Sequence, residues 1–210
     1  MAVFILSHVL LVRARLKEYL IRSVGARLYL IGYSVFSVIL FGWVIAELLN
    51  APRVPVWYAG SWAHAFAVLM MLPAFVLIGI GIVTPNPVSV AFRAGCFRAD
   101  RPGFVGWFRH PLLLGLTLWG AAHVPANGDW PSLILFAGSA VFGAFGMVML
   151  ERRYRRKLGA REWDRLTSGA GHVDRAGIVG TMVGIVAWCA LLALHPILFG
   201  VDPLAFIRMR

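Results

Sequence analysis

Apolar residues run through this chain in long blocks, at about 28–49, 62–83, 111–126, 130–150 and 176–199, joined by shorter polar and basic connections. A helix needs about 20 mainly apolar residues to cross the hydrocarbon of a bilayer, so the pattern predicts membrane spans. An earlier block, 1–12, is apolar except for Ser7 and His8 and is stopped by Arg13, Arg15 and Lys17. Twelve residues rise only about 18 Å, so this first helix either tucks against its neighbours or continues past Arg13 with its arginines snorkelling. Proline and glycine punctuate the blocks: TPNP at 84–87, Pro111 at the start of the fifth block, and an Asn-Gly-Asp turn after Pro125. The expected architecture is an all-α polytopic membrane bundle of about six transmembrane helices in a single domain, 1–210.

Charge adds the topology. Basic residues number five in 13–27, one in 50–61, four in 84–110, none in 124–130, eight in 151–175 and two after 200. Rich and poor connections alternate strictly, and with the rich ones in the cytoplasm both termini are non-cytoplasmic. The segment 151–166 reads as an amphipathic helix against anionic lipid. Composition agrees: 60% hydrophobic and 14% charged residues, against roughly 25% charged in soluble domains. The net charge of +11 would suit nucleic acid, but its placement beside apolar blocks excludes that class. Cys96 and Cys189 form no CxxC pair, so neither zinc nor a disulfide framework is indicated. The N-terminal block has neither a basic leader nor a small-residue cleavage site, and reads as a retained helix.

Ionisable residues within apolar blocks are costly and therefore functional candidates. Here they are His8, Glu47, His64, His110, His123 and His195. On a helix Trp119 lies one turn below His123, with Gly120 alongside and Gly115 about two turns down. Glycines beside a histidine could leave a shelf for a flat macrocycle, with Trp119 as its wall and a second histidine completing a bis-histidine haem. They would equally permit helix packing alone. His110, between Arg109 and Pro111 at the cytoplasmic surface, has water near and a mobile proton, and is the candidate catalytic residue. With Arg109 it could hold an anion at a helix start, or serve as an interfacial anchor. Glu47 and Asp129 are expected as exposed helix-end or turn residues near the outer face. The two histidines of 109–129 lie thirteen residues apart, about 20 Å along a helix, so they belong to two sites. Depth pairs His123 with His64 or His195.

TPNP at 84–87, RHP at 109–111, WGAAH at 119–123, ANGD at 126–129 and LHPILFGVDP at 194–203, with His8 in the first helix, together resemble the NnrU family of bacterial membrane proteins. That family is associated with nitrogen-oxide reduction in denitrifiers and is similar to zeta-carotene isomerase, a haem b membrane enzyme. The resemblance implies a multi-pass protein of the bacterial inner membrane. It also implies haem b as cofactor, His8 and His123 as the metal ligands, and a lipophilic small molecule or a respiratory reductase subunit as partner beside the lipid. The isomerase carries a cysteine three residues before its second ligand, where this chain has Gly120, so its ligand-exchange step is not carried over. RHP with Gly115 and the Glu151 segment also resembles membrane methyltransferases of the isoprenylcysteine carboxyl type, which bind S-adenosylmethionine at the cytoplasmic face. Those usually have tyrosine where this chain has Leu113. The expected roles are therefore a haem-dependent redox or isomerase step, with a methyltransferase centred on Arg109, His110 and Glu151 as one alternative. The other is a non-enzymatic assembly factor using the small-residue face of 130–150.

Overall fold

In the computed structural model, residues 3, 6, 7, 14–92 and 97–205 are described. They form seven α-helices and one 3-10 turn: α1 (Ala14–Val24), α2 (Ala26–Asn50), α3 (Ser61–Val83), the turn Gly103–Gly106, α4 (Pro111–His123), α5 (Trp130–Leu158), α6 (Ala160–Thr167) and α7 (Arg175–Phe199). Four of them are long and apolar enough to cross a membrane: 23 residues of α2 from Leu28 to Asn50, then α3, α5 and α7. The fold is the expected all-helical membrane bundle, and four of the six expected crossings are full-length spans. The fifth, α4, has 13 residues and rises about 20 Å, short of the hydrocarbon on its own. The sixth, 1–12, lies largely outside the described residues, as does His8.

Local chemistry sets each boundary. Pro111 occupies the first turn of α4, where its missing N–H is not needed. Asp129 caps α5 and Asp174 caps α7, each carboxylate accepting a backbone N–H from the first turn, Ser132 at 2.9 Å and Gly177 at 3.0 Å. The basic segment 151–166, expected as one amphipathic helix, is divided. α5 runs on through Leu158, and Gly159 at φ 76° turns the chain into α6, a conformation that favours glycine. Residues 13–27, read as a basic connection, are mostly helical; α1 ends at Gly25, which has φ 86°.

α3 sits at the centre, packed on α7 on one side and α4 on the other; α4 in turn packs on α5. Lipid offers no hydrophobic drive between helices, so small residues that admit close approach hold such bundles together. A Cβ on Gly79 would lie 2.2 Å from the Gly180 carbonyl oxygen, and one on Gly184 would lie 2.4 Å from that of Phe75. Gly115 meets the backbone of Ala74, and the α5 glycine Gly143 meets Thr117 and the Leu113 carbonyl. The small-residue stripe of 130–150 is thus the seat of α4. α2 stands apart: its close contacts are with α5 and α1, and most of its apolar side chains remain exposed to the surroundings, Val38 and Ile39 among them.

Gly184→Ala should therefore lower the midpoint of thermal unfolding in detergent by several degrees, the result of about 1–3 kcal/mol of overpacking against rigid backbone. Gly42→Ala on α2, where a Cβ meets nothing within 4 Å, should leave the midpoint unchanged or raise it. Equal midpoints for the two variants would contradict this account of α3–α7 packing.

Candidate functional site

The helices alternate in direction, which brings the motifs together at two ends. At the arginine-rich end, Thr84 closes α3 by donating its hydroxyl to the Ile80 carbonyl at 2.6 Å. Asn86 accepts from the Val88 N–H at 3.1 Å and donates to the Arg109 carbonyl at 2.8 Å. TPNP and RHP, 23 residues apart, are thus one structural unit. Arg109 pairs with Glu151 of α5 through a hydrogen bond and lies 5.3 Å from the ring centroid of Trp163 in α6. His110 is not at the water surface, contrary to expectation. Only 5% of it is exposed, because the 84–89 connection and α5 cover it. Its Nδ1 is hydrogen-bonded to Ser89 at 2.8 Å, and among the described residues its buried Nε2 has no hydrogen-bond partner, the Glu151 carboxylate standing 3.7 Å away. Beside this cluster lies a polar cavity of about 190 Å³ bounded by Trp107, Arg109, Leu166 and Thr167.

Burial disfavours the His110 imidazolium and moves its pKa below the ordinary value; the Glu151 carboxylate pulls the other way and Arg109 adds to the depression. Between the folded value and about 6.5 the unfolded chain binds the proton more readily. Stability from this group is therefore complete above about pH 6.5 and is lost as pH falls through the window below it.

At the opposite end the ANGD turn is clamped by the connection 54–57. The Gly128 carbonyl accepts from Val56 at 2.7 Å and Trp57 at 3.1 Å, and Trp130 donates to the Val54 carbonyl at 3.1 Å. A Cβ on Gly128 would lie 2.0 Å from the Trp57 carbonyl oxygen, so this position admits only glycine. Asp129, expected to be exposed, is buried, since it caps α5 through both the amide and the hydroxyl of Ser132. Glu47 is exposed as expected.

Between these outer connections and the mid-bundle lies a cavity of about 200 Å³, bounded by α2, α3, α4, α5 and α7. Its wall is largely apolar, and His64, His123 and His195 all line it. Each histidine donates Nδ1–H to a backbone carbonyl: His64 to Gly60 at 3.2 Å, His123 to Trp119 at 2.9 Å, His195 to Val201 at 2.8 Å. A carbonyl can only accept, so each neutral ring carries its proton on Nδ1 and its lone pair on Nε2. Phe136 stacks on the His123 ring at 4.6 Å and 16°, fixing its plane. Trp119 lines this cavity and joins the α2–α5 apolar cluster to the α3–α4 one. Gly120 does not line it. A Cβ there would meet the Phe136 carbonyl oxygen at 2.4 Å and the Ala140 nitrogen at 2.8 Å, so Gly120 is where α4 touches α5. Trp188, also in the wall, keeps a buried Nε1 without a partner. Among the described residues no group of three or more His, Cys, Asp or Glu is placed to hold a metal ion.

The grouping of His64, His123 and His195 follows from membrane depth, which the sequence supplies. Arg53 at the cavity mouth escaped sequence reasoning, although its position as the single basic residue of 50–61 was the available signal. The architecture is that of a polytopic helical membrane protein with an apolar, histidine-lined cavity at its arginine-poor end. The profile of the family described as NnrU protein matches residues 1–203, and the chain belongs to that family. No curated protein and no solved structure matches it.

The His110 cluster generates one prediction. Lowering the pH from 7.5 to 5.5 should reduce the unfolding midpoint of the wild-type protein in detergent, and His110→Gln should flatten that dependence. His172→Gln, in a connection outside the cluster, should leave it as in the wild type. An undiminished slope in His110→Gln would show that the pH dependence arises elsewhere.

Proposed function

We propose that this chain is a haem b-binding membrane protein of the NnrU type, in which His123 would be one of the residues that hold the iron. The observation that carries the reading is the shared cavity of His64, His123 and His195, each ring fixed with its Nε2 lone pair free. Metal-ligating histidines characteristically donate their other ring N–H to a backbone carbonyl or carboxylate, which sets both tautomer and orientation. A bis-histidine haem needs two such donors in an apolar setting, and His123 has two candidates beside it. His8, implied by the likeness to zeta-carotene isomerase, lies outside the described residues and competes for the same role. The cavity volume of about 200 Å³ is below the roughly 300–1,000 Å³ of ligand sites. A whole macrocycle therefore requires the α2 side to open, and the sparse packing of α2 favours such opening.

When bound, the haem would supply a redox-active iron. The chain's own residues would supply imidazole nitrogens to hold the iron and an aromatic wall of Trp119 and Phe136. The associated role is a step in nitrogen-oxide reduction, or a redox or cis–trans isomerisation step on a lipophilic polyene. The arginine-rich end faces the cytoplasm of a bacterial inner membrane in this reading, so the haem site lies in the outer half.

Protein purified after haem-supplemented expression should show a Soret band that His123→Ala abolishes, with the variant still monodisperse by size exclusion. Loss of the low-spin bis-histidine spectrum in one of His8→Ala, His64→Ala or His195→Ala identifies the second ligand. A colourless wild-type protein would overturn the reading.

One specific observation favours a second reading. Arg109, His110 and Glu151 are brought together beside a polar cavity at the arginine-rich end, as a methyltransferase of the isoprenylcysteine carboxyl type would require. Under that reading S-adenosylmethionine binds by calorimetry and Glu151→Ala reduces its affinity at least tenfold; absence of binding to the wild type removes it.

A further inference from the structure

We propose that the histidine-lined cavity takes an amphipathic carboxylate, with Arg53 at its mouth holding the anionic end and the apolar body lying inside. This deepens the haem reading, because it assigns the anionic end of the ligand, but it rests on separate residues. Arg53 lines the cavity and its side chain is 64% exposed. Its ion-pair partner Asp129 stands 3.7 Å away, beyond hydrogen-bond distance, and among the described residues no hydrogen bond occupies the guanidinium. The carboxylate that lines the cavity is already engaged: Asp129 accepts both donors of Ser132.

A guanidinium that is ion-paired at one side but carries no hydrogen bond, at the edge of an apolar chamber, suits a ligand that is anionic at one end only. Arg53 is also the one basic residue in the connections 50–61 and 124–130, and it stands where they meet the cavity. A carboxylate on one narrow apolar body needs a single cation at the mouth, and its body, like a macrocycle, needs the α2 side to open beyond the cavity's volume of about 200 Å³. The edge of a haem bearing a propionate and a free long-chain fatty acid share that chemistry. α2 makes its close contacts with α5 rather than with α3 or α7, so the side between α2 and α7 is where such a ligand passes from lipid into the cavity.

Trp119 and Trp188 in the cavity wall report occupancy. Purified protein in detergent at pH 8 is titrated with doxyl-labelled stearic acid and with its methyl ester, following tryptophan quenching. Haem b and its dimethyl ester are titrated in parallel, following absorbance. The acids should bind saturably and at least tenfold more tightly than their esters. Arg53→Gln should remove that preference while leaving ester binding unchanged, and Arg53→Lys should restore part of it, which also shows that the fold survives substitution at this position. Equal affinity of acid and ester for the wild type, or an undiminished preference in Arg53→Gln, overturns the proposal. A Soret band lost in His123→Ala, together with no acid preference, leaves the haem reading standing and this one refuted. Arg53-dependent stearic acid binding by a protein that takes up no haem does the reverse. Preference confined to haem b identifies the propionate as the ligand's anionic end, and preference confined to stearic acid identifies a free fatty acid.

Discussion

The structure depends on backbone-to-backbone contact at glycine. In a bilayer the surroundings of a helix are as apolar as its neighbours, so what favours association is dispersion between surfaces that can approach closely. Gly79, Gly180 and Gly184 bring α3 against α7, Gly115 brings α4 against α3, and Gly120 and Gly143 bring α4 against α5. These contacts weld four helices into one body and leave no room for a fifth at the same spacing. α2 is peripheral, seated through Val44 on Leu135 and Phe136 of α5 with larger side chains between the axes. The cavity occupies the space that results: four close-packed helices on one side, a loosely seated one on the other.

The short α4 makes this arrangement possible and sets its chemistry. Thirteen residues do not span the hydrocarbon, so both ends of the helix fall inside the bundle and must be satisfied by protein. At one end the cap residue is His110, covered by Ser89 and Glu151. At the other, the carbonyls of Trp119 and His123 accept from the His123 ring and the Asn127 side chain, at 2.9 and 2.8 Å. Buried polar groups demand partners of this kind, and the motifs TPNP, RHP and ANGD are those partners. Much of what reads as a functional signature in this chain is therefore the polar upholstery of a helix too short for its membrane.

That distinction explains what was legible in the sequence. Helix class, the long spans and the alternation of ends were written in hydropathy and in the placement of arginine, because each follows from solvation of individual residues. The grouping of His64, His123 and His195 was legible from depth alone, since residues near the same end of antiparallel helices share a level. Gly120 was readable as shelf or as packing contact, and which way its missing Cβ points depends on the rotation of α4 about its axis. Pattern along a nearly uniform apolar segment cannot fix that rotation. The exposure expected for His110 and Asp129 missed for a related reason: both flank helices in sequence, but residues distant in the chain, Glu151 for one and the 54–57 connection for the other, fold over them.

The two polar ends are thus unequal in kind. The His110 cluster is closed: Arg109, Glu151, Asn86 and Ser89 satisfy one another, leaving one ring nitrogen without a partner, and a ligand there would have to break existing bonds. The His123 cavity is open: His64, His123, His195 and Trp188 line it with Arg53 at its mouth, and among the described residues the buried Trp188 Nε1 has no hydrogen-bond partner. The buried Trp188 indole N–H bears the cost of its desolvation, and a bound group would have fewer existing bonds to break here than in the His110 cluster, which is the physical case for the proposed site at the arginine-poor end.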